Sequence, residues 1–217
     1  MIVRNRVGLA ALVASLALTV TACGGGSKPE ADKAIPGVDS GSASASASPS
    51  PSAPSGADRP KISLPADDVL VFEGENSGDP KMDAVLRDNA EHVRAVDDAI
   101  ARKDPKSQAV AFYTKDTALV DATNWINGFI KDGKTVTGTV RYFSRKVTFL
   151  KDGAAALTYC ADETKGYTKD LKTGKVDVTP VTKNSYVFYN ERLEQNDKGV
   201  WQTTKTISER GFQACQP

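Results

Sequence analysis

The chain has 217 residues, 40% of them hydrophobic and 25% charged, with a formal net charge of +1. That balance fits globular protein with one domain's worth of core, and it excludes collagen, a multi-span membrane protein and a strongly basic nucleic-acid binder. Three cysteines and a single histidine leave too few soft ligands for a four-ligand zinc site once one cysteine is otherwise committed, as Cys23 is below, so no metal and no cofactor is expected.

Arg4 and Arg6 precede an uncharged run over residues 7–20, which Thr21, Ala22 and Cys23 follow. A charged n-region, an apolar h-region and a small-residue cleavage site make an export signal. A helix over that run would rise only roughly 21 Å, short of the ~30 Å hydrocarbon core, so it does not read as a mature membrane span. Val20-Thr21-Ala22-Cys23 resembles the bacterial lipobox, with valine where leucine is preferred. The resemblance implies removal of residues 1–22 and a diacylglycerol on the Cys23 thiol. Cys23 would then anchor the mature chain to the extracytoplasmic face of the cell membrane, since two buried acyl chains hold where one does not.

From residue 24 to 60 the chain has almost no large apolar side chain, and residues 40–57 are only Ser, Ala, Pro and Gly. Such a segment cannot bury enough surface to offset chain entropy and is expected to be disordered. Residues 23–60 thus read as a lipidated cysteine and a tether, with an r.m.s. span of about 30 to 37 Å. Pro51-Ser52-Ala53-Pro54 fits the letter of a PxxP ligand, which would need an aromatic groove on a partner.

Residues 61–217 form the domain and carry no net charge, but 61–134 sum to −4 and 135–217 to +4. The hydrophobic period changes at the same place. Met82, Val85, Leu86, Ala90, Val93, Val96 and Ile100 recur at threes and fours, which predicts a helix over 80–102, capped by Asp79 and Pro80. A short helical run around Ala109 to Tyr113 and a third over 117–131, stopped by Gly133, follow. Beyond Lys134 the period drops to two: strands are expected over 135–150, 155–162, 185–194 and 200–208, joined as antiparallel hairpins. Residues 165–183 are polar and read as a long hairpin tip or a loop. Helices first and strands after them argue for an α+β fold, with helices packed on a curved antiparallel sheet.

This order, with Lys134-Thr135-Val136-Thr137-Gly138 opening the sheet and Gly199-Val200-Trp201 starting its last strand, resembles the nuclear transport factor 2-like cone. More narrowly, residues 64–215 resemble secreted bacterial lipoproteins of that superfamily. The resemblance implies a strongly bent sheet around a pocket closed by helices. Some members, the ketosteroid isomerases and polyketide cyclases, do acid–base chemistry there.

With Cys23 lipidated, Cys160 and Cys215 remain, an even pair in an oxidising compartment, and a disulfide is expected. A free catalytic thiol is the rival, but Cys160 has no basic neighbour in sequence to activate it. His92 must take part in any Ser-His or Cys-His arrangement; it reads as a helix residue with its body on the core and its tip in water. Asp162 ends an apolar strand near Tyr159, the layout of a pocket acid, yet the chain turns polar there and exposure is expected. The doublets Asp67-Asp68 and Asp97-Asp98 read as solvated.

Trp125, Tyr142, Tyr159, Tyr186 and Trp201 are the candidates for lining an apolar pocket. No catalytic residue is assigned. The basic residues of 165–183 are spread singly and could touch anionic wall polymer or lipid. The function expected is a lipid-anchored, non-catalytic module that binds a small apolar ligand or an envelope protein; the alternative is an isomerase-like or cyclase-like acid–base enzyme.

Overall fold

A computed structural model describes residues 58–217. The expected signal, Cys23 and the tether through residue 57 lie outside the described residues. The described chain runs β1 (Asp68–Phe72), α1 (Pro80–Arg102), α2 (Gln108–Tyr113), α3 (Asp116–Asp132), β2 (Lys134–Phe149), β3 (Ala155–Asp170), β4 (Val176–Asp177), β5 (Tyr186–Gln195) and β6 (Trp201–Arg210).

The long helix α1 begins where its cap predicts. The Asp79 carboxylate accepts from the backbone N–H of Lys81 (2.8 Å) and Met82 (3.2 Å), satisfying donors that no earlier turn can reach. It ends at Lys103, whose backbone is left-handed (φ 57°) and turns its N–H back onto Ala99 and Ile100. Its apolar stripe buries Val85, Leu86, Ala95, Ala99 and Ile100. Gly133 closes α3 in the same left-handed geometry.

The sheet has the order β1-β2-β3-β5-β6, with β4 beside β3. β2, β3, β5 and β6 form the expected antiparallel meander. β1 was not expected, and it runs parallel to β2, so the sheet is mixed at one edge. The physical reason is the crossover: three helices separate β1 from β2 and let the chain re-enter the sheet in the same direction. The polar stretch after residue 165 takes the hairpin of the two readings, with its turn between Asp170 and Gly174, and its first arm is longer than expected. β3 continues to Asp170 because Lys134 to Thr139 of β2 offer it a full ladder, and only then does the chain turn into β4.

The bend has two identifiable causes in β2. Its pairing with β3 breaks register between Thr139 and Arg141 and again between Phe143 and Lys146, where Ser144 takes φ 52°. Such bulges kink a strand and increase its twist. At Gly138 (φ 94°) a Cβ would collide with the carbonyl oxygen of Lys165, so only glycine allows the strands to approach there.

The concave face carries two apolar clusters. One joins Val85 and Leu86 to Leu157, Val187, Leu193 and Trp201. The other joins Ile100 to Val110, Tyr113, Ile126 and Val200. On the opposite face of β3, Cys160 is disulfide-bonded to Cys215 with Cα atoms 5.5 Å apart. Phe188 stacks on Phe212 beside it (4.6 Å), so the carboxyl terminus is fastened to the back of the sheet. Arg59 donates to the buried Asp88 (2.7 Å), which brings the last residues of the expected tether onto the domain.

Candidate functional site

A cavity of about 550 Å3 lies between the concave face of the sheet and helices α1 and α3. Alternation along the strands decides which residues reach it. Val187, Tyr189 and Glu191 of β5 and Thr206, Ser208 and Arg210 of β6 face inward at period two. Tyr159 and Glu163 come from β3, Val140 and Tyr142 from β2, and Asp68 from β1. Helix α1 supplies His92, Val93, Val96 and Asp97, and α3 supplies Asp121, Ala122, Trp125 and Phe129. Trp125 is 56% exposed and meets Phe129 edge-on (5.3 Å), so it stands at the rim.

Of the five aromatic candidates, Trp125, Tyr142 and Tyr159 are in this wall, whereas Tyr186 and Trp201 are not. Tyr186 is one residue before Val187, and the pleat sends it to the other side of β5. Trp201 is on the concave side but at the far end of β6, buried to 1% against Phe149 and under Lys81. That end of the cone is packed shut; the cavity is at the other.

The aromatic wall is continuous. Tyr159 stacks on Tyr189 (centroids 4.9 Å) and meets Tyr142 edge-on (6.0 Å), while Tyr142 stacks on Phe72 (4.7 Å). Beside it runs a buried polar chain. Arg145 donates to the Asn89 side-chain oxygen (3.1 Å), and the Asn89 amide donates to Glu191 Oε2 (2.8 Å). Glu191 Oε1 accepts from the Tyr159 hydroxyl (3.0 Å) and the Thr206 hydroxyl (3.3 Å). Burial drives the Glu191 carboxyl up to about 7, although these hydrogen bonds pull the other way.

Three expectations are corrected here. His92 does not reach water: it is buried, shares a 2.7 Å hydrogen bond with Thr114, and desolvation pushes it down to about 4, so it is neutral. Asp162 is only partly exposed; it accepts from Thr164 N–H (3.0 Å) and Arg141 (3.3 Å) and is held below its usual range, which leaves it no pocket role. The aspartate doublets are split rather than solvated.

Asp67 is half-exposed and pairs with Lys169, but Asp68 is 7% exposed, and burial next to Asp67 lifts its carboxyl to about 6. Asp98 is buried against Arg102 (3.0 Å). Asp97 keeps some accessible surface, which opens on the cavity. Its carboxyl is raised well above the ordinary range, first by burial and then by the charges of Asp68 and Glu163.

Sequence reasoning missed Asp68, Asp97 and Glu191, although each holds a phase shared with apolar residues. Asp68 alternates with Leu70 and Phe72, and Asp97 is one helical turn from Val93. Among the described residues no cluster of three His, Cys, Asp or Glu groups has the arrangement to hold a metal ion.

Helices laid across the concave face of a bent sheet, over a cavity, make the domain an α+β cone. No family profile and no curated protein matches the chain.

Solved structures that are similar include Aln2 from a Streptomyces species, at 15% identity and TM-score 0.40 over 57% of this chain and 88% of that one. A ketosteroid isomerase-like protein from Erwinia carotovora atroseptica gives 15% and 0.38 over 64% and 98%. A Catenulispora acidiphila protein in complex with S-DNPA gives 11% and 0.41 over 58% and 93%. These are likenesses of outline, and none bears on activity.

Proposed function

We propose that the chain is a lipid-anchored extracytoplasmic binding module, tethered through Cys23 and holding a small ligand with an apolar body in the cone. The observation that carries the binding half is the cavity itself. Its 550 Å3 falls within the range of small-molecule sites, roughly 300 to 1,000 Å3, and its walls combine aromatic side chains with charged and hydroxyl groups. A spacer domain would fill that space with its own side chains. The anchor rests on the export signal and on the cysteine that ends it.

Each half has its own test. Cys23→Ser is expected to move the protein out of the membrane fraction; retention overturns the anchor. For the cavity, 3-tert-butylphenol, 3-hydroxyphenyltrimethylammonium and 3-hydroxybenzoate are titrated calorimetrically into the full chain in dodecyl maltoside. An Ala122→Trp chain, whose cavity is filled from α3, serves as blank. Saturable one-to-one binding of at least one compound, lost in the blank, is expected. No binding of any of the three overturns the reading.

A second reading, acid–base catalysis, is favoured by one observation. Asp68 and Asp97 line the same cavity, and burial raises both carboxyls above the ordinary range, as a group that holds a proton for donation requires. Deuterium exchange at the α-carbon of 2-tetralone tests it. Exchange no faster than buffer, or unchanged in both Asp68→Asn and Asp97→Asn, removes this reading.

A further inference from the structure

The charges on the cavity wall do not balance. Arg210 is the one cation among the described lining residues, and it is committed to Glu163 at 2.6 Å. Asp177 is likewise taken by Lys134 at 2.7 Å. Among the described residues Asp68 and Asp97 have no such partner. Asp68 is more than nine-tenths buried, on the cavity wall, and its Oδ2 has no hydrogen-bond partner among the described residues. Asp97, across from it on α1, is raised by burial and by neighbouring negative charge, with no hydrogen bond among its causes. A buried carboxylate without a donor is costly, and proteins rarely keep one except where something else completes it.

Tyr142 and Tyr189 line the same cavity, and after burial the Asp97 charge helps to raise both phenols. Trp125 and Asp121, one helical turn apart on α3, flank the entrance. Carboxylates beside aromatic faces attract a cation twice, by Coulomb attraction and through the ring quadrupole, and both effects strengthen out of water. An anion would meet only a cation already paired. A metal ion would need closely gathered ligands, and no such group exists among the described residues.

Resting on the ligand-binding reading above, we infer that the cavity selects an organic cation: an ammonium group seated between Asp68 and Asp97, with an apolar or aromatic body against the tyrosine wall. Ligand entry then supplies the charge that the wall lacks.

The charge series separates this inference from the reading it rests on. 3-Hydroxyphenyltrimethylammonium and 3-tert-butylphenol have the same shape and differ by one positive charge, and 3-hydroxybenzoate carries the opposite sign. At pH 7 the cation is expected to bind the full chain at least tenfold more tightly than the neutral compound, and the anion more weakly than both. Asp97→Asn, which keeps the shape of the side chain, is expected to bring the two isosteres within about threefold of each other, and Asp104→Asn on the exposed surface to leave the gap in place.

Equal affinity for the two isosteres in the unmodified chain overturns the cation inference while the binding reading stands. Tighter binding of the anion overturns it as well. Absence of binding by all three removes both. The isostere comparison needs no variant, so a misfolded substitution cannot mask the outcome.

Discussion

Replacing Glu191 with glutamine is expected to make the protein more stable at neutral pH and to leave it nearly unchanged at pH 4. The carboxyl is 2% exposed, and the groups that hydrogen-bond to it, Asn89, Tyr159 and Thr206, are all neutral. Burial therefore dominates and carries it from an ordinary 4.5 to about 7. Below 4.5 the group is protonated in both folded and unfolded chains, and its contribution to stability is fully present. As pH rises towards 7 the unfolded chain gives up its proton first, and stability falls.

At roughly 1.4 kcal/mol per tenfold change in proton affinity, the loss reaches about 3 kcal/mol above pH 7. Glutamine mimics the protonated carboxyl. Its oxygen can accept from Asn89, and its N–H groups can donate to the Tyr159 and Thr206 oxygens. His92 runs in the opposite direction: pushed down to about 4, it withdraws stability as pH falls from 6.5 towards 4. Asp68, lifted to about 6, and the raised Asp97 act in the same direction as Glu191, so only the difference between variant and parent isolates Glu191. Urea unfolding between pH 4 and 8 measures that difference. A gap that rises with pH and levels off near 3 kcal/mol is expected; one independent of pH, or shrinking as pH rises, refutes the reasoning.

Two further outcomes follow from the back of the sheet and from its bend. Removing the Cys160–Cys215 bond by a double change to alanine frees a separation of 55 residues, worth about 4 kcal/mol on the chain-entropy account. Reduced parent protein should unfold at the same urea concentration as the double variant, and an unchanged midpoint would show that the bond does not constrain the chain. Gly138→Ala puts a Cβ into the Lys165 carbonyl at φ 94° and is expected to cost about 2 kcal/mol or more; a loss below about 0.5 kcal/mol would mean that the strands part there without penalty.

Local signals were legible where a segment and its hydrogen-bond partners sat close together in the chain. Asp79, Pro80 and the three-and-four spacing up to Ile100 gave α1 its full extent, because a helix satisfies its own backbone. The alternation over β2, β5 and β6 sufficed for the same reason, with hairpin turns beside it. β1 escaped because its five residues find their hydrogen-bond partners at 138–142, across three intervening helices. Nothing within reach of Asp68 in sequence announces that partner. The site inherited the same blindness: without β1 there is no inward phase at 68, and Asp67-Asp68 reads as one charged patch.

The split doublets show why adjacency in sequence is a poor guide to the surroundings of a charge. Asp67 is in the turn that precedes β1 and reaches Lys169, whereas Asp68 opens the strand in the inward phase of Leu70 and Phe72, on the cavity wall. In a helix, neighbours are about 100° apart, which turns Asp98 towards Arg102 and Asp97 towards the tyrosines. Each pair thus places one carboxylate with a basic side chain and another among apolar neighbours. The informative member is the one that keeps the apolar phase, since its desolvation must be offset by something the fold brings near or by something that enters. Here the fold brings Arg210 to Glu163 and Lys134 to Asp177, and among the described residues it gives Asp68 and Asp97 no ion-pair partner, the Lys169 charge acting on Asp68 only through space. That asymmetry is what gives the cavity a preference for charge, and it arises from secondary-structure phase acting on two ordinary acidic doublets.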